Sequence, residues 1–193
     1  PQDAWPDPSE TKESLIGRAP NMWRYRELMP LLAGDEPVTL GEGFTPLVHA
    51  TRLGATLGLE RLLIKDESLN PTNSFKARGL SAAVTRAHHL GVTTLSIPTA
   101  GNAGNAMAAY AASAGITAKV FMPKDVKLPF IRECELYGAD VTLVDGTDAA
   151  TGDSAAAGPS RAVSDARAAA IGAGLPIFHH LSRSLPPSLP GEV

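Results

Sequence analysis

The 193 residues are 44% hydrophobic and 19% charged, with a net charge of −3, the balance of an ordinary globular chain rather than a disordered or fibrous one. No apolar run is long enough to cross a bilayer as a helix, and no Lys/Arg cluster interleaved with aromatics marks a nucleic-acid surface. The lone cysteine, Cys134, excludes an internal disulfide and a cysteine-based zinc site, and it fits a reducing cytoplasm.

In chain order, residues 1–20 are rich in Pro, Asp, Ser and Glu and are expected to form a mobile lead-in. Trp23 to Leu32 carries a short amphipathic pattern that predicts a helix ending at Gly34. Gly41-Glu42-Gly43 predicts a turn, and Thr45–His49 and Leu62–Lys65 predict strands around a short helix. A helix over 74–90 follows, with Ser74 as cap, Leu80, Ala83, Val84, Ala87 and Leu90 at helical spacing, and Gly91 as stop. The strand Thr93–Pro98, the alanine-rich helix 103–114 closed by Gly115 and the strand Thr117–Met122 come next. The helix 128–137 closed by Gly138 and the strand Val141–Val144 repeat the unit. Such alternation predicts an α/β fold of three layers with a mainly parallel sheet and right-handed crossovers. From residue 147 large apolar residues thin out. Propensity predicts an alanine-rich helix over Ser160–Ile171, and 182–193 is expected to be disordered.

Two segments carry chemistry. Lys76 follows a polar turn and falls in the first turn of a helix, where the positive end of the dipole disfavours an ammonium. A setting that discourages the charged form makes a lysine more nucleophilic, the chemistry of a Schiff-base lysine. The plainer alternative is a solvated lysine at a helix start. The second segment, Pro98-Thr-Ala-Gly-Asn-Ala-Gly-Asn105, follows a strand and opens a helix, at the sheet edge where open α/β proteins bind ligands. Gly101 and Gly104 permit close backbone approach, exposed N–H groups can hold a carboxylate, and Asn102 offers an amide to a ring oxygen. A tight turn that happens to use Gly and Asn is the alternative, and the spacing does not fit a dinucleotide fingerprint.

Other candidates carry less. Asp66 and Glu67 either orient the lysine loop or are surface charges. The adjacent pairs His88–His89 and His179–His180 do not face one site, so no metal is expected. Cys134 is expected to be a buried small hydrophobe.

Lys65-Asp-Glu-Ser-Leu-Asn-Pro-Thr-Asn-Ser-Phe-Lys-Ala-Arg-Gly79, followed by Pro98-Thr-Ala-Gly-Asn-Ala-Gly104, resembles the fold-type II, tryptophan synthase beta-like, pyridoxal-phosphate enzymes. Within them it is most similar to the threonine synthases. Leu40-Gly-Glu-Gly-Phe-Thr-Pro-Leu47 and Met22-Trp-Arg-Tyr-Arg-Glu-Leu28 are similar to the N-terminal part of those enzymes, so the resemblance runs from about residue 21 to about 146. It implies that Lys76 forms the Schiff base with pyridoxal 5'-phosphate and shuttles protons. Phe75 and Asn102 are then expected at the cofactor, with Asn102 bonding its 3′-oxygen. Thr99, Ala100, Gly101 and Asn102 are expected to hold the substrate carboxylate. Asn73 stands where many members carry glycine, a mild change because Asn tolerates left-handed backbone.

The implied reaction is that of a carbon–oxygen lyase, converting O-phospho-L-homoserine and water to L-threonine and phosphate. A threonine/serine dehydratase of the same fold, which shares the Ser-Phe-Lys core, is one alternative; a non-catalytic remnant is the other. The resemblance further implies that residues 21–90 begin a large cofactor domain and 91–181 form most of a small one. The rest of the large domain, with its glycine-rich phosphate loop, is expected to be absent. The chain as given is therefore expected to be a truncated or frame-shifted fragment without turnover, from a parent that forms a homodimer.

Overall fold

The computed structural model describes residues 12–32 and 34–144. Its N-terminal part holds a short antiparallel pair, β1 (Leu47–His49) and β2 (Leu63–Lys65), joined through α1 (Thr51–Leu57). The expected strand at Thr45 starts two residues late. Pro46 has no N–H to give a ladder, yet its carbonyl still accepts from Asp66 N at 3.0 Å. The second half reads α2 (Lys76–His89), β3 (Thr94–Pro98), α3 (Asn102–Ala114), β4 (Thr117–Pro123), α4 (Leu128–Leu136) and β5 (Asp140–Val144). All six elements occur where helical spacing and glycine stops place them.

β3, β4 and β5 form one parallel sheet in that order, with Thr94 opposite Thr117 and Lys119 opposite Asp140. The middle strand is the most buried: Ala118, Val120, Phe121 and Met122 are all shielded from solvent. The chain is thus α/β with a parallel sheet, as the alternation predicts.

Alanine explains how the layers close. α3 packs against α2, α4, β3 and β4, and Ala106, Met107, Ala108, Ala109, Tyr110 and Ala111 are buried along it. A helix enclosed on several sides is apolar nearly all round, and small side chains let its neighbours approach closely. Around it gather Leu80 and Val84 of α2, Leu95 and Ile97 of β3, Val120 and Met122 of β4, and Cys134 of α4. Burying each of the larger side chains contributes about 1.5–3 kcal/mol. α2 shares this core with the sheet, so one hydrophobic cluster runs across residue 90.

The expected helix from Trp23 to Leu32 is instead a 3-10 segment, Met22–Leu28, interrupted at Tyr25 (φ −104°, ψ 39°). Its apolar residues do not line one helical face. Met22 and Trp23 are buried while Tyr25 and Leu28 are exposed, so two anchors rather than an amphipathic stripe hold the segment down. Within the expected lead-in, Lys12–Leu15 forms a 3-10 turn, and Arg18 pairs with Glu27 at 2.7 Å. The expected helix at Ser160–Ile171 and the tail 182–193 lie outside the described residues. No helix among the described residues is long and apolar enough to cross a membrane.

Candidate active site

Lys76 opens α2. Ser74 has extended backbone (φ −155°, ψ 158°), and its hydroxyl accepts from Lys76 N at 3.3 Å. It therefore acts as the cap that the sequence suggests. The turn before it is tight. Thr72 (φ 57°) and Asn73 (φ 53°) are consecutive residues with left-handed backbone. Asn accepts this readily, but a β-branched Thr there is strained, at about 1–3 kcal/mol. Its hydroxyl is turned back onto the Pro71 carbonyl at 2.6 Å.

The Lys76 amine is partly buried and lies 4.8 Å from the centre of the exposed Phe75 ring. Burial lowers its pKa from the ordinary lysine value. The ring face favours the cation, but desolvation opposes it and wins. The result is a lysine with more neutral amine available than an exposed one has. Phe75 is thus placed against the amine.

The turn Pro71–Asn73 packs against α3, and so does α2. The lysine loop is thereby joined to the helix that the second segment opens. In that segment Thr99 leaves β3, donating its N–H to Phe121 O at 2.9 Å. Its hydroxyl accepts from Gly101 N at 3.2 Å, and Gly104 N donates to Gly101 O at 2.9 Å. Two of the N–H groups expected to face a carboxylate, those of Thr99 and Gly101, are therefore used within the protein. Those of Ala100 and Asn102 donate to no group among the described residues. Asn102 itself is exposed at the helix start.

The two glycines differ. A Cβ on Gly104 would fall 2.7 Å from Thr99 Cγ2, 3.0 Å from Val120 and 3.1 Å from Met122, so only glycine lets helix and strand meet there. A Cβ on Gly101 would merely touch the Phe130 ring at 3.5 Å. The space over Gly101 is not demanded by the protein's own packing.

Sequence reasoning missed how the site is held. Glu67, read there as either an orienting or a surface charge, accepts a forked pair from Arg78: Nε to Oε2 at 2.6 Å and Nη2 to Oε1 at 2.8 Å. Thr45 Oγ1 donates to Oε1 at 2.6 Å and Asn70 Nδ2 to Oε2 at 2.9 Å. The hydrogen bonds from Arg78, then those of Thr45 and Asn70, pull the Glu67 carboxyl down to about 2. The buried Asn70 reaches on to accept from Gly43 N at 2.9 Å.

Glu42 was read only as part of a turn. It is fully buried. Its Oε1 accepts from Trp23 Nε1 (2.7 Å), Ser81 Oγ (2.5 Å) and Thr39 Oγ1 (3.1 Å). Its Oε2 accepts from Tyr110 OH (2.6 Å) and Leu40 N (3.0 Å). Burial pushes the carboxyl pKa up, yet these bonds together win and lower it. One carboxylate thus ties the 39–43 loop to α2, α3 and Trp23. Gly43 beside it has φ 99°, and a Cβ there would strike Met22 N at 2.6 Å.

Cys134 is buried, donates to Asn105 Oδ1 at 3.2 Å, and has its thiol pushed up to about 12 by burial. His89 Nδ1 lies 3.1 Å from Asp35 Oδ2.

The donor set suits an aldehyde cofactor bearing an oxyanion: a partly buried amine to bond the aldehyde carbon, and, at a helix start, an exposed amide and N–H groups with no acceptor among the described residues. The fold is that of an α/β protein with a parallel sheet, and a partly buried lysine opens one of its helices. The model of the family "Pyridoxal-phosphate dependent enzyme" matches residues 38–174, more than half the chain, and the protein belongs to that family. Its cofactor is pyridoxal phosphate.

Among curated relatives, threonine synthase of Methanosarcina acetivorans is 39% identical over 135 residues, covering 69% of this chain and 33% of the relative. Threonine synthase of Methanocaldococcus jannaschii is 39% identical over 137 residues, covering 70% and 34%. The chain thus spans about a third of the length of these relatives. Among solved structures, Escherichia coli diaminopropionate ammonia lyase with an aminoacrylate–PLP intermediate superposes with a TM-score of 0.60 at 22% identity, covering 72% of this chain and 37% of the other. Threonine deaminase isoform 2 from Solanum lycopersicum gives 0.57 at 24% identity, covering 70% and 34%. At these identities the structures show the shared fold.

Proposed function

We propose that this chain carries the lysine part of a threonine-synthase-type centre, which converts O-phospho-L-homoserine and water to L-threonine and phosphate. The observation that carries the reading is Lys76 itself, partly buried at the start of α2 with its basicity lowered, in a chain 39% identical to threonine synthases. The elements that favour a synthase over a dehydratase, Gly41-Glu42-Gly43 with Thr45 and Asn70-Pro71-Thr72, are tied together through Asn70 and Glu67.

In this reading Lys76 Nζ would hold pyridoxal phosphate through its amine, and Asn102 would bond the ring oxygen. The bound cofactor supplies an electron sink for the carbons of an amino acid. Lys76, its basicity lowered by burial, would take and return the protons lost and gained at the substrate carbons. The N–H groups of Ala100 and Asn102, at the positive end of α3, bind the substrate carboxylate. Phe75 lies against one side of the amine, 4.8 Å from it.

The test is product analysis of an enzyme that carries this segment at the full length of its relatives, supplied with pyridoxal phosphate. Phosphate release from O-phospho-L-homoserine with formation of L-threonine is expected. Formation of 2-oxobutanoate from threonine, without phosphate release, would assign the centre to the dehydratase type instead.

A further inference from the structure

We infer that the Glu67–Arg78 ion pair is a positioning device that holds the Lys76 amine in its reactive setting. The inference deepens the proposed role of Lys76, but its test needs no cofactor. The argument starts from strain. Between the two partners lie Thr72 and Asn73, both left-handed, and then Lys76. Such backbone persists only where its surroundings over-determine it.

The surroundings here are specific. Glu67 stands before the strained turn and Arg78 two residues after the lysine. Their forked pair at 2.6 and 2.8 Å closes the segment into a loop. Inside it, Asn70 Nδ2 bonds Glu67 O at 2.9 Å and Asn73 N bonds Asn70 O at 2.9 Å. Outside it, Thr45 Oγ1 and Gly43 N fasten the clamp to the neighbouring 43–45 segment. Each member, side chain or backbone, is a polar group facing a partner, so the geometry is fixed by direction and not by packing alone.

Opening the clamp frees Thr72 and Asn73 to relax into ordinary backbone, which shifts Ser74 and the start of α2. The amine then moves into water, where the ammonium is better hydrated and less neutral amine remains. A purely structural pair behaves otherwise: its loss lowers stability but leaves the amine of the still-folded protein unchanged.

The experiment is competitive acetylation by acetic anhydride at about pH 8, with peptide mass mapping. Reactivity at Lys76 is read against the exposed Lys127 in the same sample. Arg78→Lys keeps the charge and removes the fork; Glu67→Gln removes the charge. In both, with circular dichroism confirming the fold, Lys76 reactivity relative to Lys127 is expected to fall about threefold or more. Values within about 1.5-fold of the parent would overturn the inference. Thr45→Val removes a single donor from the clamp and decides the matter if the other two fail to fold: a fall supports the clamp, and none overturns it. Pyridoxal phosphate and borohydride applied to the parent chain report on the cofactor reading separately, since absence of label at Lys76 leaves the acetylation result standing.

Discussion

Replacing Glu42 by Gln tests whether this buried carboxylate is the pin between the 39–43 loop, α2 and α3. The amide is nearly the same size, so packing is preserved and only the hydrogen-bond pattern changes. Five donors converge on the carboxylate: three on Oε1 and two on Oε2. A glutamine can present only one oxygen, and its NH2 must face the other group. If it faces the Oε2 side, Tyr110 OH can turn to accept, but the N–H of Leu40 cannot. If it faces the Oε1 side, the Ser81 and Thr39 hydroxyls can turn, Ser81 donating instead to Val38 O at 2.8 Å, and the indole N–H of Trp23 keeps only its longer bond to Ser81 Oγ at 3.0 Å. The first choice sets the Leu40 N–H against another donor, the second costs Trp23 its shorter bond, and in both the charge assistance of the remaining bonds is lost. The expected cost is about 1–3 kcal/mol, a sizeable share of the roughly 5–15 kcal/mol typical of a domain. Tyr110→Phe removes one donor of the five and should cost about 1–1.5 kcal/mol. Urea unfolding followed by tryptophan fluorescence and far-ultraviolet circular dichroism measures both. A Glu42→Gln protein within about 0.5 kcal/mol of the parent would refute the pin.

Three further outcomes follow from the same geometry. Glu67 has its folded pKa depressed to about 2 from 4.5. Its contribution is therefore complete above pH 4.5 and is lost as pH falls through about 2. After allowance for solvent screening it amounts to about 1–2 kcal/mol, and Glu67→Gln should flatten the acid fall of the urea midpoint by that amount. Gly104→Ala places a methyl 2.7 Å from Thr99 Cγ2 and should destabilise by about 1–3 kcal/mol in the same assay. Cys134, buried with its thiol raised to about 12, should resist iodoacetamide at about pH 8 in the folded chain and react once urea unfolds it.

The order of elements was legible because it is written locally. α2, α3 and α4 carry helical spacing and end at glycines, and β3 and β4 are short apolar runs between them. Lys76, Ser74 and the Thr99–Asn102 turn were legible for the same reason, since caps and strand-to-helix turns use neighbouring residues. What escaped is long-range. Glu42 reads as a turn charge because its donors come from Trp23, Ser81 and Tyr110, which lie far away in sequence. Glu67 reads equally as a loop-orienting or a surface acid until the turn at Thr72–Asn73 brings Arg78 back to it. The 3-10 form of Met22–Leu28 was hidden because apolar spacing does not reveal which residues find a buried partner; Trp23 does, and Leu28 does not. The half-used N–H groups of the Thr99–Asn102 loop depend on register with β4, set by the pairing of Pro98 with Phe121.

The central claim is that Lys76 is the residue that bonds the cofactor. Incubation with pyridoxal phosphate, borohydride reduction and peptide mapping tests it directly. The reduced pyridoxyl group is expected on Lys76, in preference to Lys65, Lys119, Lys124 and Lys127, and lost in Lys76→Ala. A label spread evenly over the surface lysines, or concentrated on any other one, would contradict the account.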